Sequence, residues 1–224
     1  MKKDAVILFL RYPERGKMKT PLSAELGDDA AYDLTICFIR DILGTLRAVE
    51  AETIIVGTGS TGKGPPGIFG GTLRLVQRGH DPGERLYHAF ADVFSRGFSR
   101  AVLIGVDCPG ISAVRIRQAF SELGNHEAVI GPANDGGYYL AGFHDRSVRP
   151  DFFRDISWGT GRVLAETIGK IEDTLMELSI LPQLERIETA NDLRRFADER
   201  ERSAMAASTM NYVTLNRERL FGEK

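Results

Sequence analysis

Short, mostly apolar runs alternate with amphipathic segments along most of the chain. The apolar runs predict strands covered on both faces, at Ala5–Leu10, Thr53–Val56, Leu73–Val76, Ala101–Val106, Ala128–Gly131 and Tyr138–Phe143. Apolar residues at helical spacing predict helices between them, at Asp29–Leu46, after Asp81, after Ser112, at Val163–Ile171 and from Thr189 to Phe196. The alternation predicts an α/β protein, a three-layer α/β/α sandwich with a mostly parallel mixed sheet.

Length and charge narrow the class of protein. The 224 residues favour a single domain over residues 1–198, followed by a charged tail at 199–224 that forms a helix or an oligomer contact, such as that of a homodimer. Lys and Arg total 29 against 31 acids, so no basic field favours a nucleic acid. The first apolar run is too short to span a membrane. Together with Cys37 and Cys108, expected as free thiols, this favours a cytoplasmic protein.

Ligands of such sheets bind beyond the carboxyl ends of the strands. That rule places four connecting segments around one crevice, at residues 11–20, 77–85, 107–109 and 132–137. The pattern alone predicts a nucleotide-sized site there and leaves its chemistry open.

A glycine-rich run at residues 57–64 imitates a phosphate-binding loop. It matches both GxGxxG and GxxxxGK, but these motifs act only when a helix follows directly. Here Pro65 and Pro66 follow, and a helix cannot continue through them. We therefore interpret the run as a flexible surface loop.

The segment after the first strand is a glycine-containing loop with four cations. Lys17 and Lys19 are placed to neutralise a diphosphate or triphosphate while loop N–H groups approach it. A solvated surface loop explains the same pattern equally well.

Two acids lie where strands are expected to end. Asp107 follows a buried strand and is a candidate ligand of Mg²⁺ or Mn²⁺, although a structural turn before Pro109 is the alternative. Asp135 precedes Gly136 and Gly137 and is a candidate general base, although Asp-Gly is also a common hairpin turn.

One tryptophan precedes a predicted helix. Trp158 is a candidate for stacking on a substrate ring, and packing is the more common role of this residue type.

Taken together, these segments resemble a family of uncharacterised GT-A-type glycosyltransferases or nucleotide-diphospho-sugar transferases (DUF2064-like), distantly similar to the guanylyltransferases of cofactor biosynthesis. The matching positions run in order along the chain and are Pro13, Gly16, Lys19-Thr20, Leu22, Gln77, Gly79, Gly83-Glu84-Arg85, Gly105, Asp107-Cys108-Pro109, the run Gly131 to Leu140, Trp158 and Thr160.

The resemblance implies a role for each group of residues. The implied nucleotide site comprises Leu10, Arg11, Pro13, Gly16, Lys17, Lys19, Gln77, Gly83 and Arg85. The implied acceptor site comprises Asp135, Gly136, Gly137, Trp158 and Thr160. Asp135 and Lys19 are the implied catalytic residues, and Asp107 with Glu188 would bind Mg²⁺ or Mn²⁺.

The chain departs from the family pattern at two places. Pro21 stands where the family has an arginine, and Arg186-Ile187-Glu188 stands where the family has Asp-x-Asp. Three functions are therefore predicted as alternatives. They are metal-dependent glycosyl transfer from a nucleotide-diphospho-sugar to a small acceptor, nucleotidyl transfer from an NTP to a phosphorylated small molecule with release of pyrophosphate, and nucleotide binding without catalysis.

Overall fold

The computed structural model describes residues 3–59, 65–200 and 206–222, with Arg200 described by its backbone only. Within these ranges one sheet contains β1 (Asp4–Arg11), β2 (Glu52–Thr58), β3 (Leu73–Val76), β4 (Arg100–Ile104), β5 (Ala128–Pro132), β6 (Tyr138–His144) and β7 (Leu178–Ile180). The helices are α1 (Pro21–Leu26), α2 (Asp28–Leu46), α3 (Pro82–Phe94), α4 (Ala113–Glu122), α5 (Val163–Glu172), α6 (Ala190–Arg200), α7 (Ala207–Leu215) and α8 (Arg217–Phe221), with a 3-10 helix at Pro150–Phe153.

The strands lie in the order β3-β2-β1-β4-β6-β5-β7. β1 pairs in parallel with β2 and β4, so that Ile7 lies between Ile54 and Leu103. β6 runs antiparallel to both of its neighbours, whereas the other pairs are parallel. The prediction of a mostly parallel mixed sheet is confirmed.

Helices cover both faces of the sheet because alternate residues of each strand point to opposite sides. On one face Leu8 packs in a cluster with Ile42 of α2 and Ile116 of α4. On the other face Ile7 packs in a cluster with Phe90 of α3. Burial of each such side chain contributes roughly 1.5–3 kcal/mol relative to exposure. The two clusters form the predicted three-layer sandwich.

The C-terminal helices pack at one end of this sandwich. Leu34 and Phe38 of α2 form a third cluster with Leu193 of α6 and Val213 of α7. The domain boundary expected at residue 198 stays a prediction, because residues 201–205 lie outside the described ranges. None of the helices in the described ranges is both long and apolar enough to cross a membrane.

Helix α1 was not predicted, although its start signal is present in the sequence. The Thr20 side chain accepts the N–H of Ser23 at 3.1 Å, and the Ser23 hydroxyl accepts the N–H of Thr20 at 3.0 Å. Pro21 occupies the first turn, where its fixed φ favours a helix and its missing N–H is not needed. Pro21 therefore begins a helix at the point where the family pattern has a cation.

The glycine-rich run after β2 lies mostly outside the described residues, which resume at Pro65. Residues 65–72 form turns, and β3 begins at Leu73. A phosphate-binding helix therefore does not follow Pro65.

Candidate functional site

A crevice of about 680 Å³ opens at the carboxyl ends of β1 and β4. A smaller cavity of about 260 Å³ adjoins it beside the loop after β1. Five residues line both spaces, namely Arg11, Val106, Asp107, Arg186 and Glu188. The larger volume is in the range of small-molecule binding sites.

Most of the predicted site residues lie in this pair of cavities. The larger crevice is lined by Leu10, Arg11, Gln77, Arg85, Asp107, Asp135, Gly137, Trp158, Thr160 and Glu188. The smaller cavity adds Pro13, Lys17 and Lys19. Neither space is lined by Gly16, Gly83 or Gly136.

The loop after β1 is held in place by a carboxylate of α2. Asp28 accepts the backbone N–H of Gly16 through Oδ2 and that of Met18 through Oδ1, the latter at 2.6 Å. These two loop N–H groups are therefore bonded within the protein. Cationic side chains remain for a phosphate, and Lys19 is exposed while Lys17 lies 3.2 Å from Glu14 Oε2. The sequence offered no signal for Asp28 beyond its place at a helix start.

Two predicted nucleotide-binding residues also brace the backbone. Gln77 donates its amide N–H to the carbonyls of Leu10 at 2.9 Å and Val56 at 3.2 Å. Arg85 donates from Nε to the carbonyl of Gly79 at 3.0 Å. Both side chains thus reach the crevice from fixed positions.

Two glycines of the predicted ligand sites lie where backbone segments pack closely. A Cβ on Gly83 would lie 2.0 Å from the carbonyl oxygen of Phe153. Gly136 has φ +80°, and a Cβ there would lie 2.2 Å from the carbonyl oxygen of Gly161. These glycines allow backbone segments to pack closely on each other.

The centre of the crevice is an ion cluster around Arg186. Its Nε donates to Asp107 Oδ2 at 2.9 Å, and its Nη2 donates to the same oxygen. Nη1 donates to Asp135 Oδ2 at 2.5 Å, and Glu188 Oε1 lies 2.9 Å from Nη2. One guanidinium therefore holds both predicted metal ligands and the predicted base.

The backbone around Arg186 is also fixed. Its N–H donates to Asn134 Oδ1 at 3.0 Å, and the N–H of Ile187 donates to the carbonyl of Asp107 at 2.8 Å. The Arg186 side chain is 23% exposed, so it is largely desolvated yet still accessible from the crevice.

The cluster changes the ionisation of its members. Burial by itself lowers the pKa of Arg186, but the nearby carboxylates of Asp107, Glu188 and Asp135 raise it by a larger amount. The net shift is therefore upward, and the guanidinium keeps its charge. Burial raises the pKa of Glu188, with Asp107 and Asp135 adding to this effect and Arg186 opposing it. Burial also raises the pKa of the Cys108 thiol, which makes it a poor nucleophile.

The metal predicted at Asp107 and Glu188 does not fit this arrangement. A divalent ion binds oxygen ligands at about 2.0–2.6 Å. Asp107 Oδ2 and Glu188 Oε1 both face the guanidinium of Arg186, and an ion bridging these oxygens would overlap its like-charged nitrogens. Among the described residues, His, Cys, Asp and Glu also form no group of three or more that is suited to a metal. The metal site thus stays a prediction that the geometry does not support.

The segment that carries Trp158 and Thr160 is held by a carboxylate that the sequence did not reveal. Glu166 of α5 accepts the backbone N–H of Ser157 at 2.6 Å and the Ser157 hydroxyl at 3.0 Å. Thr160 donates its hydroxyl to the carbonyl of Ser157 at 2.7 Å. Trp158 directly follows Ser157 in the chain, and its side chain packs partly on the core and partly lines the crevice.

The chain matches the model of the family described as "Uncharacterized protein conserved in bacteria (DUF2064)" over residues 44–160. It also shares 32% sequence identity with a protein from Desulfovibrio desulfuricans G20 whose crystal structure is known and which is provisionally named as a nucleotide-diphospho-sugar transferase. That match covers 98% of this chain and 97% of the relative, with a TM-score of 0.89. The chain belongs to the DUF2064 family. The family resemblance inferred from the motifs is confirmed, as is the classification as a transferase.

More distant structures share the fold alone. CMP:2-keto-3-deoxy-manno-octonic acid synthetase, solved with CTP, is 10% identical with a TM-score of 0.53, covering 87% of this chain and 97% of that one. Rv0371c from Mycobacterium tuberculosis H37Rv, solved with manganese, is 16% identical with a TM-score of 0.50, covering 87% and 97%. No curated protein matches the chain.

Proposed function

We propose that this DUF2064 protein transfers a glycosyl group from a nucleotide-diphospho-sugar to a small acceptor. The observation that carries the proposal is the arrangement of the two adjoining cavities. The cations of the loop after β1 line the smaller cavity, Trp158 and Thr160 line the larger one, and Asp107, Arg186 and Glu188 line both. The provisional name of the Desulfovibrio relative supports the same donor class.

The donor would lie with its phosphates beside the loop after β1. Arg11 lines both cavities, and Lys17 and Lys19 line the smaller one. Fixed positive charge beside the departing diphosphate stabilises the negative charge that develops as the glycosidic C–O bond breaks. Lys19 therefore acts on the leaving group, and no covalent enzyme intermediate is required.

Asp135 would be the base in a direct displacement. The acceptor hydroxyl gives its proton to the carboxylate, its oxygen bonds to the anomeric carbon, and the nucleoside diphosphate leaves with the bonding electrons. Asp135 is oriented for this by its Oδ1, which accepts the N–H of Gly137 at 3.0 Å, and by Arg186 at Oδ2. Trp158 would stack on a ring of the acceptor or sugar.

Nucleotidyl transfer is the second candidate, since the shared fold includes a synthetase solved with CTP. It would use the same cations with an NTP and release pyrophosphate. The identity of the product separates the two reactions.

The first test is thermal stabilisation by a panel of nucleoside diphosphates, nucleotide-diphospho-sugars and NTPs, on wild type and Arg11→Met. A ligand at about 100 times its Kd adds roughly 2.7 kcal/mol of stability. We expect one ligand class to stabilise wild type and to bind Arg11→Met at least about tenfold more weakly, because a charge-assisted phosphate contact is lost.

The matched control is Arg96→Met, which removes an exposed arginine just after α3 that lines neither cavity. It should bind as wild type does. Stabilisation without turnover, whatever acceptor is offered, would favour nucleotide binding without catalysis. If no member of the panel stabilises the protein, the proposed function is wrong.

A further inference from the structure

We propose that Arg186 is the resident cation of this site and that nucleotide binding here requires no divalent metal. The metal-binding half of this inference stands on the cluster itself, and the nucleotide half rests on the proposed function. The guanidinium occupies the position from which a divalent ion would bridge Asp107 and Glu188.

The geometry is that of a cation shared by several anions. Nε and Nη2 both donate to Asp107 Oδ2, while Nη1 donates to Asp135 and Glu188 lies beside Nη2. A planar guanidinium can hold several oxygens at fixed angles in this way, which an ammonium cannot. The oxygens that a metal would need are thus already engaged.

The position of the guanidinium is built into the fold. The segment that carries Arg186 is joined to the loop after β4 through the Ile187 N–H and to the β5–β6 turn through Asn134. Arg186 also lines both the smaller cavity, where the loop cations lie, and the larger crevice. A diphosphate that spans the two spaces must therefore pass beside it.

Arg186 supplies only part of the positive charge that a divalent metal would bring to this site. Arginine supplies one permanent positive charge, whereas Mg²⁺ or Mn²⁺ would supply two. The remaining charge for a diphosphate comes from Arg11, Lys17 and Lys19, which lie on the same side of the cluster. The site accordingly holds its cations by covalent attachment to the chain and does not recruit them from solution.

The test compares Mn²⁺ binding by wild type, Arg186→Asp and Arg186→Ala, each as the full chain, with free Mn²⁺ followed by electron paramagnetic resonance. Arg186→Asp removes the cation and adds a carboxylate beside Asp107 and Glu188. We expect it to bind Mn²⁺ at least about tenfold more tightly than wild type, the scale on which changes around a metal alter its affinity. Arg186→Ala should lie between the two.

Arg154→Asp is the matched control, because Arg154 is also paired with an aspartate, Asp151 at 2.8 Å, but lies outside the crevice. It makes the same change of charge and should leave Mn²⁺ binding at the wild-type level. Wild type that binds Mn²⁺ as tightly as Arg186→Asp does would overturn the proposal. If Arg186→Asp fails to fold, wild type and Arg186→Ala make the same comparison.

The nucleotide half is tested by the stabilisation of wild type by UDP, GDP and CDP, in EDTA and in Mn²⁺. We expect the same midpoint shift in both media for whichever nucleotide binds. A shift that appears only with Mn²⁺ would overturn the inference. If no nucleotide binds in either medium, the proposed function fails, while the Mn²⁺ comparison still decides the role of Arg186.

Discussion

Asp28 accepts the backbone N–H of Met18 at 2.6 Å and so fixes the loop that carries Lys17 and Lys19. The same carboxylate accepts the N–H of Gly16, which has φ +74°. Asp28 is the first residue of α2, where the helix dipole also favours a negative charge. An internal anion thus orders the loop on which the proposed phosphate site depends.

Replacing Asp28 with alanine should therefore loosen this loop. We expect Asp28→Ala to lose about 1–2 kcal/mol of unfolding free energy, because two N–H groups lose a charged acceptor. Nucleotide affinity should fall as well, since the lysines are no longer held in position. Chemical denaturation and the ligand panel measure the two effects.

The neighbouring residue provides the control for this prediction. Asp29 pairs with Arg15, and both side chains are more than half exposed, so this ion pair contributes little. Asp29→Ala should change neither stability nor affinity appreciably. Equal losses in the two variants would contradict the role given to Asp28.

Gly83 should be required for the packing of α3 and not for ligand contact. A Cβ at this position meets the backbone of Phe153, which cannot turn aside as a side chain can. We expect Gly83→Ala to cost about 2–3 kcal/mol of stability. Gly44, within α2, has open space around it, and Gly44→Ala should instead stabilise the protein by about 0.5–1 kcal/mol. Denaturant midpoints that shift in the same direction for both variants would contradict this assignment.

The sheet could be predicted from the sequence because its signals are local. Each of Ala5–Leu10 and Ala101–Val106 carries its burial pattern within one apolar run. The carboxyl-end rule then placed Asp107 and Asp135 in one crevice, and the family resemblance added Trp158; all three line that crevice in the structure. Helix α1 was not predicted, although Thr20 and Ser23 form a capping box at its start.

The centre of the site could not be predicted because its contacts are distant in sequence. Arg186 lies 79 residues from Asp107 and 51 residues from Asp135. The sequence marks position 186 only as a departure from the family pattern. Its guanidinium reaches three carboxylates because the fold brings together the end of β4, the β5–β6 turn and the segment before α6. No local sequence pattern encodes this meeting.

Asp41 should hold the C-terminal helices on the domain. Its Oδ1 accepts the N–H of Ser208 at 2.8 Å, and its Oδ2 accepts the N–H of Thr209 at 2.8 Å and its hydroxyl at 2.6 Å. These bonds satisfy N–H groups at the start of α7 that no residue within the helix can accept. We expect Asp41→Ala to lose about 2 kcal/mol and to expose α7 to hydrogen exchange. Asp173→Ala, which changes an exposed aspartate after α5, should leave exchange in α7 unaltered.

Glu166 should control the loop that carries Trp158. The backbone N–H of Ser157 lowers the pKa of Glu166, and the Ser157 hydroxyl and Arg162 add to this effect against a smaller opposing effect of burial. A carboxyl with a lowered pKa stabilises the folded loop above its unfolded pKa, about 4.3, and that contribution is lost as the pH falls through the lower folded value. The loop should therefore stay ordered at neutral pH and loosen on acidification.

Fluorescence can follow this loop directly because Trp158 is the single tryptophan of the chain. We expect wild type to show red-shifted emission only in acid, and Glu166→Gln to show it already at neutral pH, since the amide lacks the charge that strengthens both bonds to Ser157. Glu172→Gln, which alters an exposed acid at the end of the same helix, should keep the wild-type profile. A Glu166→Gln variant whose emission follows the wild-type curve at every pH would show that Glu166 does not hold the loop, and Trp158 would then owe its position to packing on the core alone.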